Sequence, residues 1–229
     1  MPVIKLRVEI SKDEEIRYIS HLDYAGAIEK ALKRAEIPVA YSEGFNPHMK
    51  LAFASALAVG LTSATEYMEV ELKEQIDIKE FIAKFEKQLP RGIKVLQAKY
   101  LMKKEKALMA IVDLATYCIE VPLLGSVEAA TEALENFNKV AELKYLKVTP
   151  KQSKEIEIKQ YLKESIKAEF HNSIMKITMA IIITPGGSVK PTDVLTAITE
   201  NFALNIKSDD ALIHRTGLYA NGKSPIDLI

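Results

Sequence analysis

Hydrophobic and charged residues alternate along Val3 to Ile10, which is the period-2 pattern of a half-buried strand. A helical pattern then begins after an N-cap at Ser20 and stops at Pro38. The predicted inward stripe of this first helix is Leu22, Ala25, Ile28, Leu32 and Ala35. Two further strand patterns, a second helix capped by Asp77 and a closing strand follow. The element order β-α-β-β-α-β is that of the ferredoxin-like unit.

A similar order of elements returns in the second half of the chain. The patterns predict a strand over 116–123, a helix capped by Ser126, a strand over 144–148 and a hairpin turned at 171–173. A last helix capped by Thr192 and a strand ending at Tyr219 complete the series. We therefore predict an α+β fold with two ferredoxin-like halves in tandem, over residues 1–102 and 111–229, joined by a charged connector at 103–110.

The densest run of polar and conformationally special residues lies between the first helix and the next strand. Gly44 permits positive φ, and Pro47 holds Asn46 in an extended conformation and fixes how His48 leaves the turn. One interpretation is a stiff recognition loop, and the other is a structural turn whose Phe45 enters the core. Under the first interpretation the binding residues are Tyr41, Ser42, Phe45, Asn46, His48 and Lys50.

The start of the first helix supplies a second group of candidates. His21 lies in the first turn, where the helix dipole disfavours its positive form, so a near-neutral imidazole would be available for proton transfer. Together with His48 it could serve a metal-independent ribonuclease. Alternatively His21 is a simple first-turn residue and Asp23 a cap. Arg17, His21 and Asp23 join the binding candidates, and so does Arg215 near the C-terminus, which would grip phosphate or carboxylate or pair with an acidic neighbour.

Charge limits how the chain could bind a polyanion. Lys+Arg and Asp+Glu are equal at 31 each, so no global field attracts nucleic acid or anionic lipid. RNA binding would have to be carried by the lysine-rich stretches at 94–106 and 139–163.

The cysteine content excludes several kinds of site. Cys118 stands alone, so the chain by itself holds no iron–sulfur cluster and no Cys-ligated structural zinc. We predict that Cys118 is a small buried hydrophobe. No metal or cofactor is predicted. The N-terminus lacks a signal-peptide pattern and no apolar run is long enough for a membrane span, so a cytoplasmic location is expected.

Several motifs together resemble a known bacterial family. They are Ile16–Asp23, which contains Ser-His-Leu-Asp, Ile37–His48, which contains Gly-Phe-Asn-Pro-His, and the segments Ala56–Gly60, Glu66–Tyr67 and Ile213–Tyr219. The chain is similar to the radical-SAM-associated domain of unknown function, in its free-standing form. That resemblance implies a radical S-adenosylmethionine (SAM) protein as partner, in a gene neighbourhood of ribonuclease E/G-type and ribosomal proteins, and it carries no established activity.

Three hypotheses follow for function. The leading one is a non-catalytic accessory module that binds structured RNA, ribosomal or transfer RNA, and works with a radical SAM partner. The second is a metal-independent endoribonuclease using His21 and His48, and the third is a protein–protein adaptor that does not touch RNA.

Overall fold

The computed structural model describes residues 3–103, 105–148 and 153–229. Its internal contacts divide the chain into two compact units. Unit 1 comprises Met1–Asp113 and Gly217–Ile229, and unit 2 comprises Leu114–Thr216. The α+β fold class predicted from the sequence is confirmed.

Unit 1 is an antiparallel sheet with its two longer helices packed on one face. Its elements are β1 (Ile4–Lys12), α1 (His21–Arg34), β2 (Leu51–Phe53), β3 (Leu61–Leu72), α2 (Ile78–Glu86), β4 (Val95–Tyr100) and the short α3 (Leu108–Ile111). The strands lie in the order β4-β1-β3-β2, and each neighbouring pair is antiparallel. Local signals start the helices as predicted: the Ser20 hydroxyl accepts from the Asp23 N–H at 3.1 Å, and Asp77 accepts from two N–H groups of α2.

Strand β1 is buried on both faces, so its prediction as a half-buried strand was wrong. Leu6, Val8 and Ile10 lie in the core beneath the helices, as the alternation requires. Arg7 and Glu9 point to the other face and are also buried, at 1% and 7% exposure. The C-terminal segment of unit 1 contacts this second face. There the Arg7 guanidinium donates a hydrogen bond to the Pro225 carbonyl oxygen at 2.5 Å. Because this covering segment is distant in the chain, the alternation of residues along β1 does not reveal it.

Unit 2 has a sheet of similar order and an additional ribbon. Its elements are β5 (Leu114–Pro122), α4 (Val127–Lys139), β6 (Lys144–Val148), β7 (Ser153–Glu157), β8 (Lys167–His171), β9 (Ile174–Ile182), α5 (Pro191–Phe202) and the part of β10 (Leu212–Tyr219) up to Thr216. The strands lie in the order β10-β5-β9-β8. Strands β6 and β7 pair with each other, so the predicted strand at 144–148 belongs to a separate two-stranded ribbon.

Two other details differ from the sequence prediction. Helix α5 begins at Pro191, one residue before the predicted cap, with Lys190 in the N-cap position. Proline favours the first helical position because it has no N–H to leave unsatisfied and its φ is already helical. The segment 217–229 lies in unit 1, whereas the sequence assigned it to the second half. The description as tandem ferredoxin-like halves, with boundaries at 102 and 111, stays a prediction.

Candidate functional site

Residues 40–50 of unit 1 form a closed hairpin, here called the recognition hairpin. The Lys50 N–H donates to the Ala40 carbonyl at 2.9 Å, and the Ser42 N–H donates to the His48 carbonyl at 2.8 Å. The Ser42 hydroxyl in turn accepts from the His48 N–H at 3.0 Å. The apex, residues 43–47, contains Gly44 at a φ of 115°, a conformation that side chains with a Cβ rarely adopt. Hydrogen bonds therefore hold the apex at its base, and Gly44 allows the backbone to turn within it.

The apex presents an aromatic ring to solvent. Phe45 is fully exposed, at 111% of its reference area, so the interpretation in which it enters the core was wrong. Asn46 and His48 are exposed beside it, and Tyr41 is exposed at the base. A ring held fully in water contributes little burial free energy to the fold, which leaves both of its faces available to a ligand.

Cationic side chains lie at the base of the recognition hairpin and not at its apex. The Lys50 ammonium is 3.1 Å from a Glu71 carboxylate oxygen. The Lys73 ammonium lies over the Tyr41 ring, 5.7 Å from its centroid. Lys50 also lines a small groove of about 200 Å³, together with Lys5, Glu69 and Glu71. The base thus combines an aromatic ring with two ammonium groups.

The first turn of α1 adjoins β2, the strand that follows the hairpin. His21 is half-buried and its ring packs edge-on against Phe53 of β2, with centroids 5.2 Å apart. Asp23 accepts a hydrogen bond from the Ser20 hydroxyl at 2.7 Å and is exposed, as a capping residue would be. His21 therefore has an apolar packing partner and Asp23 a capping partner, and their participation in binding or catalysis stays a prediction.

Arg17 forms a buried clamp at the entrance to α1. Its side chain is 4% exposed and donates to both carboxylate oxygens of Glu14, at 2.8 and 2.5 Å. A third N–H group of the guanidinium, on Nη1, donates to the Gly60 carbonyl oxygen at 2.7 Å. The Gly60 N–H donates in turn to the Arg17 carbonyl oxygen. Lys12 is buried below and donates to the Arg17 and Ile19 carbonyls, and burial lowers the pKa of its ammonium. These contacts fix the backbone that leads into α1.

Arg215 lies in unit 2 and is also buried, at 4% exposure. Its guanidinium donates to the Tyr117 hydroxyl oxygen at 3.2 Å. Two of the candidate arginines, Arg17 and Arg215, are therefore enclosed by protein, and contact of either with a phosphate stays a prediction.

Six lysines of the two lysine-rich stretches form ion pairs. In unit 1, Lys94, Lys99 and Lys103 pair with Asp13, Asp227 and Glu105 at 2.7, 3.4 and 3.7 Å. In unit 2, Lys139, Lys144 and Lys147 pair with Glu135, Glu155 and Asp193. Lys104 and Lys151, which belong to the same stretches, lie outside the described residues. The ion pairs reduce the charge that these stretches offer to phosphates.

The sequence did not predict the exposed apolar residues near the start of α1. Leu22 was assigned to the inward stripe but is 82% exposed, and Tyr18 and Val59 are also exposed. The predicted Ile28, Leu32 and Ala35 are buried, and Tyr24 and Ala31 complete the buried stripe in place of Leu22. Leu22 is two positions from Tyr24, about 200° around the helix, so the two side chains point to opposite faces.

The remaining sequence predictions concern Cys118, metal sites and membrane-spanning segments. Cys118 is half-buried, not fully buried as predicted, because β5 exposes alternate residues, and burial raises the pKa of its thiol. Among residues 3–103, 105–148 and 153–229, no group of three or more His, Cys, Asp or Glu side chains could hold a metal ion. In the same parts of the chain, no helix has the length and apolar character needed to cross a bilayer.

Comparisons with known proteins place the sequence in a family and the fold among solved structures. A family profile described as "uncharacterized protein conserved in bacteria" matches residues 5–191. A chain in the crystal structure of a Cbf5–Nop10–Gar1 complex is similar in fold, with a TM-score of 0.51 and 10% identity, over 92% of this chain. The match spans 48% of that longer chain.

A second solved structure, of an unknown protein from Galdieria sulphuraria, matches with a TM-score of 0.27 and 13% identity, over 94% of this chain and 99% of that one. No curated protein matches the sequence.

Proposed function

The chain belongs to DUF2344, a family of proteins conserved in bacteria, and we propose that it is a non-catalytic accessory module that binds structured RNA. The observation that carries the proposal is the fully exposed Phe45 ring on the braced apex of the recognition hairpin. Proteins that recognise RNA stack unpaired bases on exposed aromatic rings and read base edges with polar side chains. Asn46 and His48 supply such polar groups beside the ring.

The structure of the hairpin supports a preformed recognition element. The hydrogen bonds between Ser42 and His48 and between Ala40 and Lys50 hold the apex before any ligand arrives. Binding then requires little ordering of the loop, and more of the stacking free energy is available for affinity. A base–aromatic stack contributes about 1–3 kcal/mol, judged by alanine substitution.

The motif resemblance adds a partner to this proposal. The Ser-His-Leu-Asp and Gly-Phe-Asn-Pro-His motifs resemble those of radical-SAM-associated domains, which favours a radical SAM protein as the enzyme that acts on the bound RNA. In this division of labour, the DUF2344 chain holds ribosomal or transfer RNA and the partner supplies the chemistry.

The test is RNA binding by the full chain with the stacking residue changed. Fluorescence anisotropy with labelled transfer RNA and with a ribosomal RNA fragment gives the affinities. We expect Phe45→Ala to weaken binding by about 1–3 kcal/mol and Phe45→Trp to retain it, since tryptophan also stacks. Leu124→Ala is the matched control, because it truncates another exposed apolar side chain, 60% exposed, outside the hairpin and both lysine-rich stretches. Unchanged affinity in Phe45→Ala would count against the hairpin as the binding element.

The same protein preparation separates the other hypotheses. Incubation with RNA in EDTA, followed by sequencing of the products, detects metal-independent cleavage. Site-specific cleavage that disappears in both His21→Ala and His48→Ala would replace the binding proposal with the endoribonuclease. Failure to retain either RNA at low salt would leave the protein–protein adaptor.

A further inference from the structure

We infer that the apex of the recognition hairpin takes an unpaired nucleotide, with the base on Phe45 and the neighbouring phosphates at the hairpin base. The inference rests on the RNA-binding function proposed above and specifies the class of RNA that the site selects. It follows from the shape of the apex and from where the charges around it lie.

The shape of the apex suits a single exposed base. One ring, fully exposed, stands on a five-residue apex closed by the Ser42–His48 hydrogen bonds. In an RNA duplex both faces of each base are covered by neighbouring bases, and the major groove is too deep and narrow for side chains to read. Stacking on Phe45 within a duplex would first require unstacking of a base pair. A bulged or looped nucleotide already offers a free face.

The charges near the hairpin support the same orientation. Glu43 is exposed in the apex, two residues from Phe45, and its carboxylate repels a phosphate brought to the tip. The ammonium groups of Lys50 and Lys73 lie at the base, the first against Glu71 and the second over Tyr41. A nucleotide bound with its base at the tip and its backbone towards the hairpin base matches this arrangement. The base also holds the Glu71 carboxylate, paired with Lys50, whereas the apex, residues 43–47, offers a phosphate the Glu43 carboxylate and no cation.

The small number of cations at the hairpin predicts a shallow dependence on salt. Two phosphate contacts on a single strand give a slope of log K against log salt of about −1.4, since each contact contributes about −0.7. Binding through the lysine-rich stretches at 94–106 and 139–163 would engage more phosphates and give a steeper slope. The salt dependence therefore reports which surface is used.

The experiment compares two RNA hairpins that differ in one nucleotide. One stem is fully paired, and the other carries a single bulged 2-aminopurine, whose fluorescence reports stacking. We expect the full chain to bind the bulged RNA at least about tenfold more tightly, with quenched fluorescence. Phe45→Ala should lose both the preference and the quenching, and Phe45→Trp should keep them. Thermal unfolding by circular dichroism verifies that each variant is folded.

The outcomes separate this inference from the proposed function. Equal affinity for the two RNAs, or a preference that survives in Phe45→Ala, overturns the unpaired-nucleotide inference while RNA binding stands. A slope of log K against log salt much steeper than about −1.4 overturns the placement of the phosphates at Lys50 and Lys73. Absence of binding to both hairpins, and to transfer RNA and the ribosomal RNA fragment, overturns the proposed function itself.

Discussion

Replacement of Arg17 by alanine tests whether this candidate site residue acts on the fold or on a ligand. Its guanidinium is 4% exposed, while Glu14, its ion-pair partner, is 71% exposed. The donor to Gly60 at 2.7 Å ties the start of α1 to the turn that precedes β3. On this geometry Arg17 stabilises unit 1, and its loss should reduce the free energy of unfolding.

The contacts of Arg17 set the expected size of the effect. A hydrogen bond from a charged donor contributes about 1.5–3 kcal/mol, and two buried methylene groups contribute about 1.6 kcal/mol. The ion pair with the exposed Glu14 adds little, and removal of a buried charge returns part of its desolvation cost. We therefore expect Arg17→Ala to lower the free energy of unfolding by about 2–3 kcal/mol. Arg17→Lys should lose about half of this, because lysine keeps the charge but not the planar fork.

Urea denaturation followed by circular dichroism measures the change. Lys94→Ala is the matched control, because it removes a nearby ion pair, with Asp13, whose lysine is exposed. We expect the control to leave the unfolding midpoint unchanged. If Arg17→Ala unfolds at the same urea concentration as Lys94→Ala and yet binds RNA more weakly, the structural role assigned to the clamp is refuted and a direct contact with ligand is favoured.

Two further predictions concern the buried polar face of unit 1. Glu69→Ala should lower the free energy of unfolding by about 3–5 kcal/mol, because it removes the carboxylate 2.6 Å from the guanidinium of Arg7, which is 1% exposed. A loss below about 1 kcal/mol in urea denaturation would contradict this. Burial raises the pKa of Tyr67 from 10.0 to about 12. Above pH 10 the unfolded state therefore binds fewer protons than the folded state, and stability falls as pH rises towards the folded pKa. Tyr67→Phe should reduce the loss of unfolding free energy between pH 10 and pH 12 by about 1–2 kcal/mol. The unfolding midpoint of this variant should fall less steeply over that pH range, and an equally steep fall would refute the prediction.

Features that depend on neighbouring residues could be predicted from the amino-acid sequence. Ser20, Asp77 and Ser126 cap the predicted helices because a cap needs only a side-chain oxygen and the N–H groups two or three residues later. The alternation in β1 identified which residues share a face. The positive φ of Gly44 was also predictable, since glycine has no Cβ to oppose it.

The tertiary structure decided which of those residues meet solvent. Phe45 could equally have entered the core, and Arg17 could equally have faced a ligand, because periodicity assigns residues to a face without saying what covers it. Arg7 shows the physical reason most clearly. Its carbonyl partner, on Pro225, is 218 residues away in the chain, so the burial of this charge arises only when the C-terminal segment packs on the sheet. No local pattern contains that contact.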